Sequence, residues 1–174
     1  MERKDIRKAF KSALEGKTQA GFKVFTSRAQ ALSPSDLPCI VVYSRSEAVE
    51  EYNAAPLEYK RTVSIAIEII ANGLRELDDA LDDIAEDVER VVFSDDTLGG
   101  ACSDIRLSQV EMDITSEGDT PIGSCRLTFD CIYYKEAPQD LSGALDNFDK
   151  AHLRYDISPS DGSNEAEDEV IMPQ

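Results

Sequence analysis

The sequence predicts an α/β (α+β) fold: a mixed or antiparallel sheet of about four to five strands with two helices packed on one face. Two observations lead to it. Two segments, near residues 3–15 and 74–92, repeat apolar residues at the period of a helix. Other segments, most clearly 59–71 and 122–134, alternate apolar and polar residues as half-buried strands do. We place the domain at residues 1–135 and treat residues 136–174 as an acidic extension that is partly disordered.

The first predicted helix is amphipathic. Ile6, Phe10 and Leu14 recur every four residues, and Gly16 suits the position just after the helix end. The opposite face is basic. Its members are Arg3, Lys4, Arg7, Lys8 and Lys11.

Three strands are predicted to follow. Residues 21–27 form a short extended piece, and the connector after it contains Pro34 and Pro38, which argue against helix there. Residues 39–45, which begin CIVVYS, are predicted to form a buried strand. Residues 59–71, YKRTVSIAIEIIA, are predicted to form a strand in which apolar and polar residues alternate. Between them, SEAVEEYNAAPLE is predicted to be a long loop.

A second helix and a hairpin complete the domain. The helix at 74–92 has one apolar stripe, while the rest of it is mostly carboxylate. Residues 105–115 and 122–134 alternate and are separated by SEGDTP, a pattern typical of a hairpin.

The sheet face away from the helices is predicted to be polar. No helix can cover that face without burying charge, so it must meet water, a solvated channel or a polar subunit boundary. The residues that share it are Thr62, Ser64, Glu68, Arg126, Thr128 and Asp130.

The charge of the chain is large and uneven. The net charge is −17 at pH 7, which argues against binding of nucleic acid through a basic patch. Residues 1–28 nevertheless hold eight Lys or Arg against three Asp or Glu, a net of +5, which leaves −22 for the other 146 residues. This asymmetry predicts one basic surface on an acidic body, where another copy or a different acidic partner can dock.

No constellation in the sequence supports catalysis. The single histidine, His152, lies in the C-terminal extension, and neither a P-loop nor a dinucleotide-binding glycine motif is present. The carboxylates of the second helix lie on its exposed side and do not converge as a cation site requires. The four cysteines lack metal-site spacing and are predicted to be buried, reduced thiols. We predict no catalytic residue, metal or cofactor.

Taken in order, these elements resemble a known family. A basic first helix, the connector ending DLP, the strands CIVVY and TVSIAIEII, the helix ELDDALDDIAEDVERVV and the strand RLTFDCIYY are similar to the tail terminators of long-tailed phages. These are the lambda-like minor tail protein U family, and the resemblance covers about residues 3–134.

The resemblance implies a structural virion protein at the head–tail junction, assembled in the host cytoplasm. Family members form a six-membered ring on the tail tube, stop its growth, bind the head-side connector and let genomic DNA pass through. The implied partners are therefore further copies of this chain, the tail tube protein and the connector, with no membrane involved.

We assign candidate surfaces to these contacts. The basic residues of the first helix would pair between subunits with Asp79, Asp82, Asp83 and Glu86. The polar sheet face would line the lumen. The long loop, with Glu50, Glu51, Tyr52 and Asn53, would contact the tube or connector.

Three alternatives remain open at this point. A neck or head-completion ring would bind the portal side of the same virion. A cytosolic α/β protein-binding module would have no affinity for phage tube. A metal-dependent enzyme would depend on carboxylates such as Asp79 and Asp83.

Overall fold

A five-stranded sheet and two helices form the main unit of the protein. The computed structural model describes residues 2–26, 32–73, 76–115 and 121–138, and the backbone of 150–155 and 166–171. The chain divides into two units, Met1–Ala137 and Pro138–Gln174. The elements of the first unit are α1 (Arg3–Leu14), β1 (Val24–Phe25), β2 (Cys39–Ala54), β3 (Leu57–Asn72), α2 (Leu77–Phe93), β4 (Asp104–Thr115) and β5 (Ile122–Glu136).

The sheet is mixed, with the strand order β1-β2-β3-β5-β4. Only β1 and β2 run parallel; the other neighbours are antiparallel. This confirms the predicted α+β class. One cross-strand row spans all five strands. From one edge to the other it consists of Val24, Ile40, Ile69, Cys125 and Met112.

Both helices pack on the same face of the sheet, as predicted. α1 lies against β1 and β2, and α2 lies against β3 and β5. Phe129 of β5 joins the two layers, because its ring centroid is 5.8 Å from that of Phe10 and 6.1 Å from that of Phe93. Ile6, Phe10 and Leu14 are fully buried, so the predicted apolar face of the first helix is correct.

The hairpin of β2 and β3 is much longer than predicted. Each strand has 16 residues, and only Ala55 and Pro56 lie between them. The prediction of a long loop at 46–58 was therefore wrong. Both faces of this outer part are largely exposed, so it lacks the alternation that marks a strand in sequence. Backbone pairing with β3, which is paired in turn with β5, forms it instead.

The face opposite the helices is partly covered. Cys39, Val41, Tyr43 and Ala66 are buried there in a small second cluster. Phe25, Leu32, Leu37 and Ile70 pack against it. The covering segment includes a 3₁₀ helix at Pro34–Asp36, which corrects the expectation that the prolines prevent any helix. Proline is tolerated at the first helical position because the N–H it lacks would have no partner there.

The four cysteines are buried free thiols, as predicted. Cys102 and Cys131, which are far apart in sequence, hydrogen-bond to each other. That contact and burial raise the pKa of the Cys131 thiol.

The second unit contains a two-stranded antiparallel sheet that the sequence did not predict. Its strands are β6 (Lys150–Tyr155) and β7 (Ala166–Ile171). Most of the tail at 156–174, for which disorder is predicted, and Leu74 of the predicted second helix lie outside the described residues.

The packing of α2 on β5 gives the first prediction. Leu81 is fully buried, and its Cδ1 atom lies only 2.7 Å from where a Cβ would stand on Gly123. Leu81→Ala should lower the free energy of unfolding by about 2–5 kcal/mol, because the methyl groups leave a cavity. Urea unfolding measures this change.

The matched control is Asp79→Ala, on the exposed side of the same helix. It should change the free energy of unfolding by no more than about 0.5 kcal/mol. Equal effects of the two substitutions would contradict the placement of α2.

Candidate subunit interface

The basic residues of α1 face away from α2. On one flank of α1, Ala9 and Ala13 line a groove with Val91 of α2. On the other flank, Arg3 and Arg7 line a cleft with residues of β2, β3 and β5. We name the outward set the basic flank. Its members are Arg3, Lys4, Arg7, Lys8 and Lys11.

The cleft beneath the N-terminal half of α1 is rich in cations. It has a volume of about 400 Å³. Its lining residues are Glu2, Arg3, Lys4, Arg7, Ser44, Arg61, Tyr133 and Lys135. Lys4 and Lys135 pair with Glu2 at 3.1 and 3.7 Å. The Nε atom of Arg7 is buried and has no hydrogen-bond partner among the described residues, so this cleft suits an added oxyanion such as a carboxylate.

One buried carboxylate, that of Glu47, contacts three of the residues that line the cleft. The side chain of Glu47 is only 8% exposed. It accepts a hydrogen bond from Arg61 Nη1 at 3.0 Å, and another from the hydroxyl of Tyr133. Arg3 Nε lies 3.7 Å from the same carboxylate. Burial, followed by the contact with Glu47, raises the pKa of Tyr133 to about 12, so Tyr133 stays a neutral donor at physiological pH.

The acidic residues predicted for the interface are exposed on α2. We name Asp79, Asp82, Asp83 and Glu86 the acidic face. No ion pair joins the acidic face to the basic flank within the part of the chain that the structure describes. Asp87, on the side of α2 toward α1, instead accepts a hydrogen bond from the backbone N–H of Gln19 at 3.1 Å.

The two charged surfaces lie on different helices. The cations of α1 line a cleft with residues of β2, β3 and β5, whereas the acidic face belongs to α2, which packs on β3 and β5. A subunit with two separate surfaces of unlike charge can join its own copies head to tail, which is the arrangement that a ring requires.

The six residues predicted for the polar sheet face do share that face. The strand register places Ser64 opposite Asp130 and Glu68 opposite Arg126. Arg126 donates to Glu68 at 3.1 Å and to Glu111 at 3.4 Å, and the Tyr43 hydroxyl donates to Glu68 at 3.0 Å. Thr128 is buried, while the other five are half-buried. These polar side chains are thus joined by hydrogen bonds on a face that neither α1 nor α2 covers.

The residues predicted for the tube contact lie at the outer end of the hairpin. Glu50, Glu51, Tyr52 and Asn53 end β2 and are exposed; we name them the hairpin tip. The Tyr52 ring packs on Tyr134 of β5, with centroids 4.6 Å apart. The tip is therefore the end of a strand, held by the contact of Tyr52 with Tyr134, and not the long loop that the sequence predicts.

Two groups of residues were missed by the sequence analysis. Glu47 was taken as part of a loop, although it lies opposite the buried Val63 and so on the helix-covered face. Val110, Met112 and Ile114 were taken as ordinary strand residues, but they are exposed. The alternation of these three with polar residues was visible in sequence, whereas their position at a sheet edge was not.

The described residues contain no cluster of His, Cys, Asp and Glu side chains that could hold a metal ion. Within the same residues, no helix is long and apolar enough to cross a membrane.

Comparison with known proteins identifies a family. The family model described as phage minor tail protein U matches residues 1–133. The match spans both helices and nearly all of the five-stranded sheet. No curated protein matches the chain.

The buried carboxylate gives a second prediction. Glu47→Ala leaves Arg61 and Tyr133 without their buried partner and should lower the free energy of unfolding by about 2–3 kcal/mol. Chemical denaturation measures it. Glu51→Ala, an exposed position on the same strand, is the control and should change that free energy by about 0.5 kcal/mol or less. A loss in Glu47→Ala no larger than the control would contradict an anchoring role for Glu47.

Proposed function

The chain belongs to the phage minor tail protein U family, and from this premise we propose that it is a tail terminator, a ring that caps the tail tube. Membership of the family gives the chain a structural, non-enzymatic role in the tail of a virion. The proposal adds three specific contacts to that role. Copies of the chain pair with one another, one end of the ring binds the tube, and the other end binds the head-side connector.

The observation that carries the proposal is the separation of charge. The basic flank lies on α1 and the acidic face on α2, and no ion pair joins the two among the described residues. In a head-to-tail contact, the basic flank of one copy meets the acidic face of the next. The cleft beside Arg7, with its unpartnered Nε, supports a carboxylate from the neighbouring copy as the occupant.

The polar sheet face supports a position at the lumen. Neither α1 nor α2 covers it, and its Arg126 is already paired with Glu68 and Glu111. Such a surface offers few free cations to DNA phosphates. A lumen through which DNA slides should bind phosphate weakly, and a chain with a net charge of −17 satisfies this.

The hairpin tip supports a contact beyond the ring. It extends past the part of the sheet that the helices cover and ends in exposed polar and aromatic side chains. The packing of Tyr52 on Tyr134 holds the tip in a defined conformation, which lowers the entropic cost of binding a partner. We propose that the hairpin tip binds the end of the tail tube or the connector.

A tube-growth assay tests the proposal. Purified tail tube protein is polymerised with and without this chain, and tube lengths and ends are imaged by electron microscopy. Tubes that stop growing and carry a ring at one end are expected. Tubes of unchanged length and bare ends would contradict the proposal, and binding to the connector alone would favour a neck ring.

Charge reversal supplies a prediction for the same assay. Asp82→Lys with Asp83→Lys should weaken ring formation and arrest of the tube, because like charges then meet across the interface. Lys4→Glu with Lys8→Glu should do the same, and the four changes together should restore assembly. Native mass spectrometry measures the assembly.

Glu50→Lys with Glu51→Lys is the matched control, because it makes the same change of charge at the hairpin tip. It should leave ring formation intact and alter only the contact beyond the ring. Failure of the fourfold variant to recover, with each double variant still folded, would contradict the pairing of the two surfaces.

A further inference from the structure

An apolar strip lies uncovered at the β4 edge of the sheet. Val110, Met112 and Ile114 are 50, 41 and 36% exposed. They lie opposite Leu127, Cys125 and Gly123 of β5, so they share the face on which the helices pack. α2 reaches only as far as β5, and the strip continues that buried face beyond it. We name these three residues the apolar strip.

The edge that carries the strip is also open. β4 is 12 residues long, and among the described residues only β5 pairs with it. Proteins shield long, apolar edge strands because the unpaired backbone and the exposed side chains favour association with other chains. Three alternating apolar residues on such an edge therefore indicate a surface that is covered in the assembled protein.

The opposite edge of the sheet carries an exposed aromatic side chain, that of Phe22. Phe22 is 82% exposed and comes two residues before β1, the strand at that edge. Its ring packs over Gly16, where an added Cβ would lie 3.2 Å from Cζ of the ring. Gly16 has φ +71°, a conformation that glycine adopts most readily, so the turn that presents Phe22 is locally fixed.

Phe22 and the apolar strip lie at the same level along the strand direction. The cross-strand row that begins with Val24, beside Phe22, ends with Met112 in the middle of the strip. Rotation about a ring axis preserves height along that axis. Where the strands run along the axis, the next copy brings its Phe22 to the level of this copy's Met112.

Charge favours the same pairing. α2, which carries the acidic face, lies beside the strip, because Leu77 and Leu81 of α2 and Ile114 of the strip all come within 3.3 Å of where a Cβ would stand on Gly123. Phe22 follows α1, which carries the basic flank. An apolar contact surrounded by unlike charges is the usual composition of a specific interface.

From these observations we infer that the apolar strip of one copy packs against Phe22 and the β1 edge of the next copy. The inference rests on the proposed ring and identifies the apolar centre of its subunit contact. The basic flank and the acidic face then form the polar rim around that centre.

Cross-linking tests the contact directly. The full-length double variant Phe22→Cys with Met112→Cys is treated with a short bis-maleimide, with and without purified tail tube. Within one chain, the two positions are separated by four strand spacings of about 4.8 Å, or about 19 Å. A reagent shorter than this span can therefore join only cysteines of different copies. The native cysteines are buried, so the reagent should not reach them. Each single variant is a control.

A ladder of covalent oligomers that only the double variant forms is the expected result. Intact rings without that ladder would overturn the inference and leave the tail-terminator proposal standing. The absence of any ring, alone or on tube ends, would overturn both.

A matched pair of substitutions gives an independent check. Val110→Asp places a charge in the strip and should weaken assembly at least about tenfold, since a charge buried in an apolar contact is costly. Ile122→Asp is the control: Ile122 is 48% exposed, close to the value for Val110, but lines a pocket with Leu32 and Ile70 on the other sheet face. It should leave subunit association unchanged. Equal weakening by both substitutions would contradict the inference.

Discussion

The packing of both helices on a single face of the sheet constrains the rest of the molecule. α1 and α2 together bury the apolar side chains of β2, β3 and β5, including Ile40, Ile67 and Phe129. Because both helices pack on this side, the opposite face is covered, among the described residues, by the segment around Pro34–Asp36, which lies over an apolar cluster that includes Val41 and Tyr43. The charged residues of that face need water or partners, since unpaired charges are costly to bury. Its Glu68–Arg126 pair satisfies this requirement.

The same packing divides the charge between the two helices. α1 turns Ile6 and Phe10 to the sheet and Ala9 to α2, so its cations lie on the remaining side, where Arg3 and Arg7 line the cleft. α2 must bury Leu81 and Val88, which leaves its carboxylates in solvent. Exposed charges of this kind contribute little to the stability of one subunit. Their value lies in orienting copies of the chain during association, an effect that salt screens.

Much of the fold can be predicted from the sequence, because the spacing of apolar residues shows which side of each helix or strand is buried. The alternation of Val63, Ile65, Ile67 and Ile69 and the helical spacing of Ile6, Phe10 and Leu14 gave the right elements and the right buried faces. Periodicity fails where neither face is buried. The outer hairpin around Glu50 and Tyr52 is held by backbone pairing, and nothing in its side-chain pattern distinguishes it from a loop. Glu47 was missed for a related reason, because its partners Arg61 and Tyr133 become neighbours only through strand register.

The sequence predicts which residues make up each candidate surface, but it does not predict where that surface lies on the subunit. The sequence shows which residues of the two helices are basic and acidic, whereas only the structure shows which strands each helix covers. The apolar strip required more, since Met112 is an ordinary strand residue until β4 is known to be the last strand of the sheet. Edge position depends on the pairing of segments distant in sequence, and local pattern does not encode it.

The most direct test of the account is the native mass of the assembled protein, measured alone and on the ends of purified tail tubes, with images of the same samples. The account predicts a closed ring with an open centre. For the six copies that the family resemblance implies, its mass is six times 19.2 kDa, or about 115 kDa. A chain that stays monomeric in solution and leaves the tube ends bare would contradict the central claim that its two edges are built to meet in a ring.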